Sequence, residues 1–302
     1  MTVLEAIKRS TEFLTKKGVE SPRLQTELLL AHLLKQPRMR LYLNFERALS
    51  PAEVDGFREL IKRRGQHEPL QHIVGSTSFC GLEIAVNRDV LIPRQETELL
   101  AERGWTFLGQ LSTLNPQPST VLDFGTGSGC LAIALASKCP ATEVYAVEIS
   151  PEALMLARQN ATRHGLAERI RFLQGDGFAP VPEGIQFDLI VSNPPYIPSS
   201  DIATLATEVR DHEPRQALDG GADGLDYGRR LAAESPRFLK PQGRLMLEFG
   251  DGQADRLRQV FQDQMWIVEA IEEDYNHQPR IMVAQRLGSL AGEPRASGQR
   301  PT

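Results

Sequence analysis

Apolar positions in the first 70 residues recur at intervals of three and four. Leu24, Leu28 and Leu29 form one such stripe and Val54, Phe57 and Ile61 another, which predicts short amphipathic helices packed as a small bundle. Ser21-Pro22 and Ser50-Pro51 each set an N-capping serine before a proline suited to the first helical position, and Ser50 with Glu53 completes a capping box. Between about 70 and 93 the texture changes to β-branched alternation around Gly75 and Gly81, IVGSTSFCGLEIAV, predicting a hairpin or extended connector. From 119 onward strand-like runs alternate with helical segments: TVLDF, a helix from Ser128 to Lys138, EVYAVEI, a helix from Pro151 to His164, RIRFLQ and FDLIVS. A turn-rich stretch then leads to a helix near 225–239, the strand RLMLEF at 244–249, another helix, and strands near 266–271 and 280–285. This rhythm calls for an α/β domain, a mostly parallel sheet covered on both faces. The final residues, GSLAGEPRASGQRPT, hold one large aliphatic side chain among Gly, Pro, Ala and Ser, and are expected to form a disordered tail.

Composition narrows this picture. With 302 residues, 41% hydrophobic and 24% charged, the chain is too long for a single small module and too apolar for wholesale disorder. The net charge of −5 conceals a gradient: residues 1–75 carry 13 Lys and Arg against 9 Asp and Glu, the remainder 21 against 30. A general nucleic-acid coat requires a far more basic face, so no direct DNA binding is expected. Cys80, Cys130 and Cys139 show neither Cys-x-x-Cys spacing nor an even count, which suits reduced thiols and a cytoplasmic location. The N-terminal MTVLEAIKRSTEFLTKK is broken by charges and the greasiest run, Leu28 to Leu34, is only seven long, so neither a signal peptide nor a membrane span is expected.

Asp123-Phe-Gly125-Thr126-Gly127-Ser128-Gly129 lies where a strand ends and a helix begins. Glycines there allow a sharp turn and close approach of a ligand to the backbone, and the helix start offers unpaired N–H groups. The spacing is not the G-x-G-x-x-G of a dinucleotide site, whose third glycine would fall on Cys130. Glu148 follows at the end of the next strand, where a carboxylate can accept from both ribose hydroxyls of a nucleoside. The combination resembles the first two signature segments of S-adenosylmethionine-dependent methyltransferases, whose cofactor has an amino-acid end and no pyrophosphate. By that resemblance Asp123 receives the cofactor's ammonium, directly or through water. Asp176, in Gly175-Asp176-Gly177-Phe178, stands after the third strand where related enzymes hold the adenine amino group. An Asx turn closing a βα loop is the alternative for that segment.

Asn193-Pro194-Pro195-Tyr196 follows the strand Phe187 to Ser192, at the carboxyl end of the sheet where open α/β folds place ligands. An amide or aryl amine is a poor nucleophile because its nitrogen lone pair is delocalised. If the Asn193 side-chain oxygen and the Pro194 carbonyl each accept one N–H, they hold that nitrogen with its lone pair directed at an electrophilic methyl group. Tyr196 offers a ring face for a planar amide or base. No metal is required. The pattern points to nitrogen methylation and leaves open a glutamine amide, an adenine and a guanine.

Further segments carry a wider resemblance. Glu68-Pro-Leu-Gln-His-Ile-Val-Gly75, Leu91-Ile-Pro-Arg94-Gln95-Glu96-Thr-Glu98, Glu213-Pro214, Ala217-Leu-Asp-Gly-Gly221 and Asp223-Gly-Leu225 resemble the bacterial protein-(glutamine) methyltransferases that modify peptide chain release factors. The likeness spans nearly the whole chain apart from the last 15 residues. It implies a Rossmann-like class I methyltransferase domain with a seven-stranded sheet, a helical N-terminal domain and a β-hairpin connector. The implied boundaries are 1–72 for a substrate-docking bundle, 73–93 for the connector, 94–287 for the methyltransferase domain and 288–302 for the tail. The implied reaction moves a methyl group from S-adenosylmethionine to the glutamine of a Gly-Gly-Gln loop in class-I release factors, in a monomeric enzyme. The resemblance assigns the cofactor to Asp123, Gly125 to Gly129, Glu148, Asp176, Gly177, Phe178 and Asn193. It assigns the substrate to Asn193, Pro194, Pro195 and Tyr196, with Arg94 and Glu98 either touching substrate or forming a structural ion pair. Three places depart from the family pattern: Gln95-Glu96 follows the connector arginine, Asp274 to Arg280 lacks a glycine, and Gly177 stands where an aromatic residue flanks adenine, a gap Phe178 is expected to fill. A DNA adenine methyltransferase shares the Asn-Pro-Pro-Tyr chemistry and is the nearest rival, and a non-catalytic cofactor-binding protein is the second.

Overall fold

The computed structural model describes residues 1–114 and 117–287, so the expected tail at 288–302 lies outside the described residues. The chain forms two compact units. One gathers Met1–Thr77, Ala85–Ile92 and Ala203–Pro214; the other gathers Ser78–Ile84 and, among the described residues, those from Pro93 to Ile202 and from Arg215 to Leu287.

The first unit is the predicted bundle, made of α1 (Val3–Lys16), α2 (Pro22–Leu33), α3 (Met39–Tyr42), α4 (Pro51–Gly65) and α5 (Leu70–Val74). Its core joins Val3, Ile7, Leu14, Leu29, Leu30, Phe57 and Ile61. The capping box at Ser50 forms as expected, with Glu53 N–H donating to Ser50 Oγ and Ser50 N–H to the Glu53 carboxylate. Ser21 does not cap: it stands at φ +47° in the left-handed region and makes no side-chain cap bond. Leu24 also departs from expectation and stays exposed, because α2 turns Thr26, Glu27, Leu29 and Leu30 inward. Buried Glu27 accepts from Arg23, Arg38 and Tyr42, which explains how a carboxylate is tolerated there.

The segment Ala203–Pro214 joins this unit although the expected boundaries put it elsewhere. The reason is a fully buried guanidinium. Arg64 donates to the Gln25 side chain, to the Glu68 carbonyl at 3.0 Å and to the Glu208 carboxylate. A buried charge needs such saturation, and no acidic residue nearer in sequence supplies that third bond. Ile92 N–H adds a bond to Glu213 Oε2 at 3.3 Å.

The predicted hairpin is β1 (Ser76–Phe79) and β2 (Leu82–Ala85), turned at Cys80 and Gly81. Both turn residues have positive φ, +50° and +78°, which matches the right-handed twist of a two-residue hairpin.

In the second unit α6 (Gln95–Leu114) is a long helix that the sequence reading leaves unassigned. Thr97, Leu100, Ala101 and Leu108 mark its buried face. Then come β3 (Thr120–Phe124), α7 (Cys130–Lys138), β4 (Glu143–Glu148), α8 (Pro151–Arg163), β5 (Ile170–Gln174) and β6 (Phe187–Ser192). After α9 (Thr207–His212) of the first unit follow α10 (Asp226–Glu234), β7 (Leu239–Glu248), α11 (Ala254–Asp263), β8 (Trp266–Glu273) and β9 (Pro279–Arg286). The helix expected near 225–239 stops at Glu234 before a 3₁₀ turn over Ser235–Arg237. β7 starts five residues earlier than expected because a register shift accommodates Lys240 to Gly243 between the pairs Phe187–Leu239 and Leu189–Arg244.

The seven strands lie in the order β5-β4-β3-β6-β7-β9-β8, parallel through β7 and antiparallel at β9 and β8. The order reverses between β3 and β6. At such a reversal adjacent crossovers depart to opposite faces, leaving a crevice at the carboxyl ends of the strands.

Replacing Arg64 with alanine is expected to lower the unfolding free energy by about 3 kcal/mol, because it strands buried acceptors. Arg58→Ala, which breaks only the exposed pair with Asp55, should cost under about 0.5 kcal/mol. Urea midpoints of the two variants check the contrast.

Candidate active site

Parallel register assembles the candidate residues in a row. Phe124 pairs with Val147, Asp123 with Val191, Ser192 with Leu247 and Glu148 with Gln174. The glycine loop after β3, Glu148 at the end of β4, Asp176 beyond β5, Asn193 beyond β6 and Glu248 at the end of β7 therefore leave the sheet at one edge.

The glycine loop divides its labour. Gly125 and Gly127 have φ of +75° and +54°, and a β-carbon built on either would project into open space. Gly129, at φ +82°, instead lets α7 approach α8: its β-carbon would lie 3.0 Å from that of Ala157. It was expected to face the cofactor, and its observed contact is one of packing. Thr126 and Ser128 are buried, so their side chains do not line an open surface. Thr126 Oγ donates to Asp123 Oδ2 at 2.5 Å, and the Ser128 carbonyl accepts from the Asn160 side chain at 2.9 Å.

Asp123 is fully buried; its Oδ2 also accepts from Ala132 N–H at 3.1 Å. Its Oδ1 has no hydrogen-bond partner among the described residues. Glu148 is nearly buried and accepts from the N–H groups of Gly127 at 2.8 Å, Ile149 at 2.9 Å and Ser150 at 3.0 Å. Three of a carboxylate's roughly four acceptor positions are thus occupied, and one remains beside Gly127.

Beyond β5 the arrangement differs from expectation. Asp176 Oδ1 accepts from Arg230 Nη1 at 2.5 Å, and Arg230 Nε is held by Glu234 at 3.1 Å. A β-carbon at Gly177 would lie 2.2 Å from the Arg230 guanidinium, so an arginine from α10 occupies the space that an aromatic side chain was expected to fill. Phe178 does not compensate. Its ring is buried, stacked on Phe238 at 4.6 Å with a 10° tilt and packed against Phe124, and no face is left for a ligand.

At the end of β6, Asn193 Nδ2 donates to Thr97 Oγ at 2.9 Å, and Thr97 Oγ donates to Glu248 Oε2 at 2.7 Å. Tyr196 O–H reaches Glu248 Oε1 at 3.3 Å. Neither Asn193 Oδ1 nor the Pro194 carbonyl accepts a hydrogen bond among the described residues. The loop is pinned from behind. Gln253 Nε2 donates to the carbonyls of Tyr196 at 2.8 Å and Gly224 at 3.3 Å, while Gly250 N–H donates to Gln253 Oε1 at 2.8 Å. Gly220 and Gly224 allow this approach, since a β-carbon on either would fall within 3 Å of the Pro195-Tyr196 backbone.

Of the connector residues, Glu98 accepts from Cys80 N–H at 2.9 Å and so ties α6 to the hairpin turn. Arg94 exerts its pull on the Tyr196 hydroxyl, whose ionisation is otherwise pushed well up by burial and the nearby Glu248 carboxyl. Thr97, Glu248, Gln253 and Arg230 escape the sequence reading. Thr97 lies inside the connector segment between Arg94 and Glu98 but carries no assigned role there; the other three sit outside the motifs, and the available signal is a polar residue inside an apolar run, as Glu248 is in LMLEF.

Burial pushes the carboxyls of Asp123 and Glu248 each up to about 7. Hydrogen bonds from Thr126 and Ala132 at the first, and from Thr97 and Tyr196 together with the charge of Arg280 at the second, oppose that rise. The ordinary values are 3.8 and 4.5. The folded chain thus keeps protons that the unfolded chain has released, so these groups favour folding fully below about pH 4 and lose that contribution as pH rises through about 7. The stability of the ligand-free protein relative to Asp123→Asn is therefore expected to decline between about pH 4.5 and 7, measured by urea unfolding at constant ionic strength. A constant difference would show that Asp123 titrates in its ordinary range.

Two known domain families match the chain: the PrmC N-terminal domain over residues 5–75 and the Methyltransferase small domain over residues 106–221. A release factor glutamine methyltransferase from Geobacter sulfurreducens is 45% identical over 260 residues, covering 86% of this chain and 88% of that one. One of the same name from Chlorobaculum tepidum is 40% identical over 279 residues, covering 91% and 94%. The crystal structure of a methyltransferase from Pyrococcus furiosus has a similar fold, with a TM-score of 0.50 and 21% identity over 70% of this chain and 91% of that chain. The helical bundle, the hairpin and the seven-stranded sheet thus fit the expected architecture, and identity at this level over most of both lengths settles the family: the chain belongs to the release factor glutamine methyltransferases.

Proposed function

We propose that this protein transfers a methyl group from S-adenosylmethionine to the side-chain amide nitrogen of the glutamine in the Gly-Gly-Gln loop of class-I release factors. The observation that carries this reading is the pair of unengaged acceptors, Asn193 Oδ1 and the Pro194 carbonyl, on a loop pinned beside the glycine turn. Two acceptors on adjacent residues match the two N–H donors of a primary amide.

Four features support the cofactor. Asp123 Oδ1 is a buried acceptor without a partner among the described residues, which suits an ammonium group or the water that bridges to one. Gly125 and Gly127 leave open space where side chains would stand. Glu148 retains an acceptor position for a ribose hydroxyl, and takes a second by releasing Gly127 N–H. Asp176, already paired with Arg230, presents the adenine end with a fixed carboxylate.

S-adenosylmethionine, when bound, supplies an electrophilic methyl group on a sulfonium sulfur. The chain's own residues prepare the nucleophile. Asn193 Oδ1 and the Pro194 carbonyl each accept one N–H of the glutamine amide, which fixes its rotation and draws electron density toward nitrogen. Pro195 holds the Pro194 backbone extended, so the carbonyl direction is set before substrate arrives. The Tyr196 ring covers a face of the amide plane, and its hydroxyl is anchored on Glu248. Positioning of this kind supplies the rate without a covalent intermediate on the protein. A single chain carries every group used here, which fits a monomer. The three cysteines are all unpaired, in keeping with a cytoplasmic enzyme, and no helix among the described residues is long and apolar enough to cross a membrane.

Incubation with methyl-labelled cofactor and either release factor or duplex DNA tests the assignment. Label is expected on the release-factor glutamine; label on DNA alone overturns the reading. Asn193→Ala is expected to lower kcat by about a hundredfold or more with cofactor affinity nearly unchanged. Glu148→Ala should weaken cofactor binding by about tenfold, as calorimetry would register.

A further inference from the structure

We propose that Thr97 and Glu248 are positioning residues that dictate which way round the Asn193 amide stands, and so make an oxygen rather than an NH2 group face the substrate. The inference rests on the reading that Asn193 Oδ1 holds a substrate N–H. An asparagine amide has nearly the same shape when turned over. In one orientation Asn193 offers an acceptor to the incoming amide; in the other it offers donors to donors. Shape and packing do not distinguish the two, so a hydrogen-bonding partner of fixed polarity must.

The structure contains that partner. Glu248 is 1% exposed at the end of β7, and in its ionised form, reached as pH rises through about 7, its carboxylate only accepts. Thr97, 2% exposed in the first turn of α6, has one hydroxyl proton and donates it to Glu248 Oε2 at 2.7 Å. With that proton committed, Thr97 Oγ can only accept toward Asn193, and it does so from Nδ2 at 2.9 Å. Oδ1 is thereby left for the open side. The second oxygen of Glu248 is taken by Tyr196 O–H, which closes the remaining route by which the polarity could reverse. Arg280 on β9 is the cation acting on Glu248; Glu96 on α6 acts in the opposite sense, and Tyr196 is the other titratable neighbour. The chain of polarity thus runs from Glu248 through Thr97 to Asn193 and ends at the substrate nitrogen.

Thr97→Val keeps the shape and removes the hydroxyl; Thr97→Ser keeps the hydroxyl. On release factor, Thr97→Val is expected to lower kcat by about tenfold to a hundredfold with little change in KM, the range set by leaving one buried polar group unmet. Thr97→Ser should stay within about threefold of the parent. S-adenosylhomocysteine affinity, measured by calorimetry, should be unchanged in both. Glu248→Gln, which can donate to Thr97 and reverse the relay, should resemble Thr97→Val. In an Asn193→Ala background Thr97→Val should have no further effect, whereas a general loss of stability would add. The side-chain NH2 resonances of Asn193, identified by their loss in Asn193→Ala, should shift in Thr97→Val and not in Thr97→Ser. That comparison needs neither substrate nor cofactor, so it judges the relay even if release factor proved not to be the substrate. Unchanged Asn193 resonances, or wild-type kcat in Thr97→Val, would overturn the proposal.

Discussion

Parallel pairing between β3, β6 and β7 is the constraint on which the rest of the site depends. Asp123 is matched with Val191 and Ser192 with Leu247, so the glycine turn, the Asn-Pro-Pro-Tyr loop and Glu248 leave the sheet at one level. A slip of one residue would turn Glu248 to the opposite face and carry Asn193 away from Thr97. The register is held by strands that are apolar on both faces, Leu189, Ile190 and Val191 in β6 among them, all fully buried. The packing that stabilises the sheet therefore also sets the geometry of the polar groups at its end.

Those polar groups are placed against their own solvation. Asp123 and Glu248 are carboxyls taken out of water, and each has hydrogen bonds that meet only part of what burial removes. Arg64 in the helical unit is the contrasting case, a buried charge with donors directed at Gln25, Glu68 and Glu208. A saturated buried ion stiffens a fold; an unsaturated one is a position prepared for a partner. On this view the Asp123 oxygen without a partner and the acceptors at Asn193 and Pro194 belong together. They are hydrogen-bonding capacity left unspent at the carboxyl end of the sheet.

Several features were legible from residue order because their cause is local. The glycine turn announces itself through positive φ at Gly125 and Gly127, the capping box through Ser50 and Glu53, and the hairpin through Cys80-Gly81 between alternating residues. The Ser21 cap failed although its local signal was the same, since the chain enters α2 in a left-handed conformation that turns the side chain from the helix. Phe178 departs from expectation for a related reason. Sequence places it in the adenine loop, but whether its ring faces a ligand or the core depends on Phe238, sixty residues away and stacked upon it.

The order of residues by itself determined the class of fold, the family and the segments that meet the reactants, because hydrophobic period, turn chemistry and motif spacing are properties of neighbours along the chain. Tertiary structure alone decided which carboxylate backs which loop. Thr97, Glu248 and Asn193 are separated by scores of residues, and the direction of the hydrogen bonds among them follows from burial, which has no local signature. The same holds for Arg230 beside Gly177 and for Glu208 beneath Arg64, where a charge is satisfied only by a group that folding brings from a distant part of the chain.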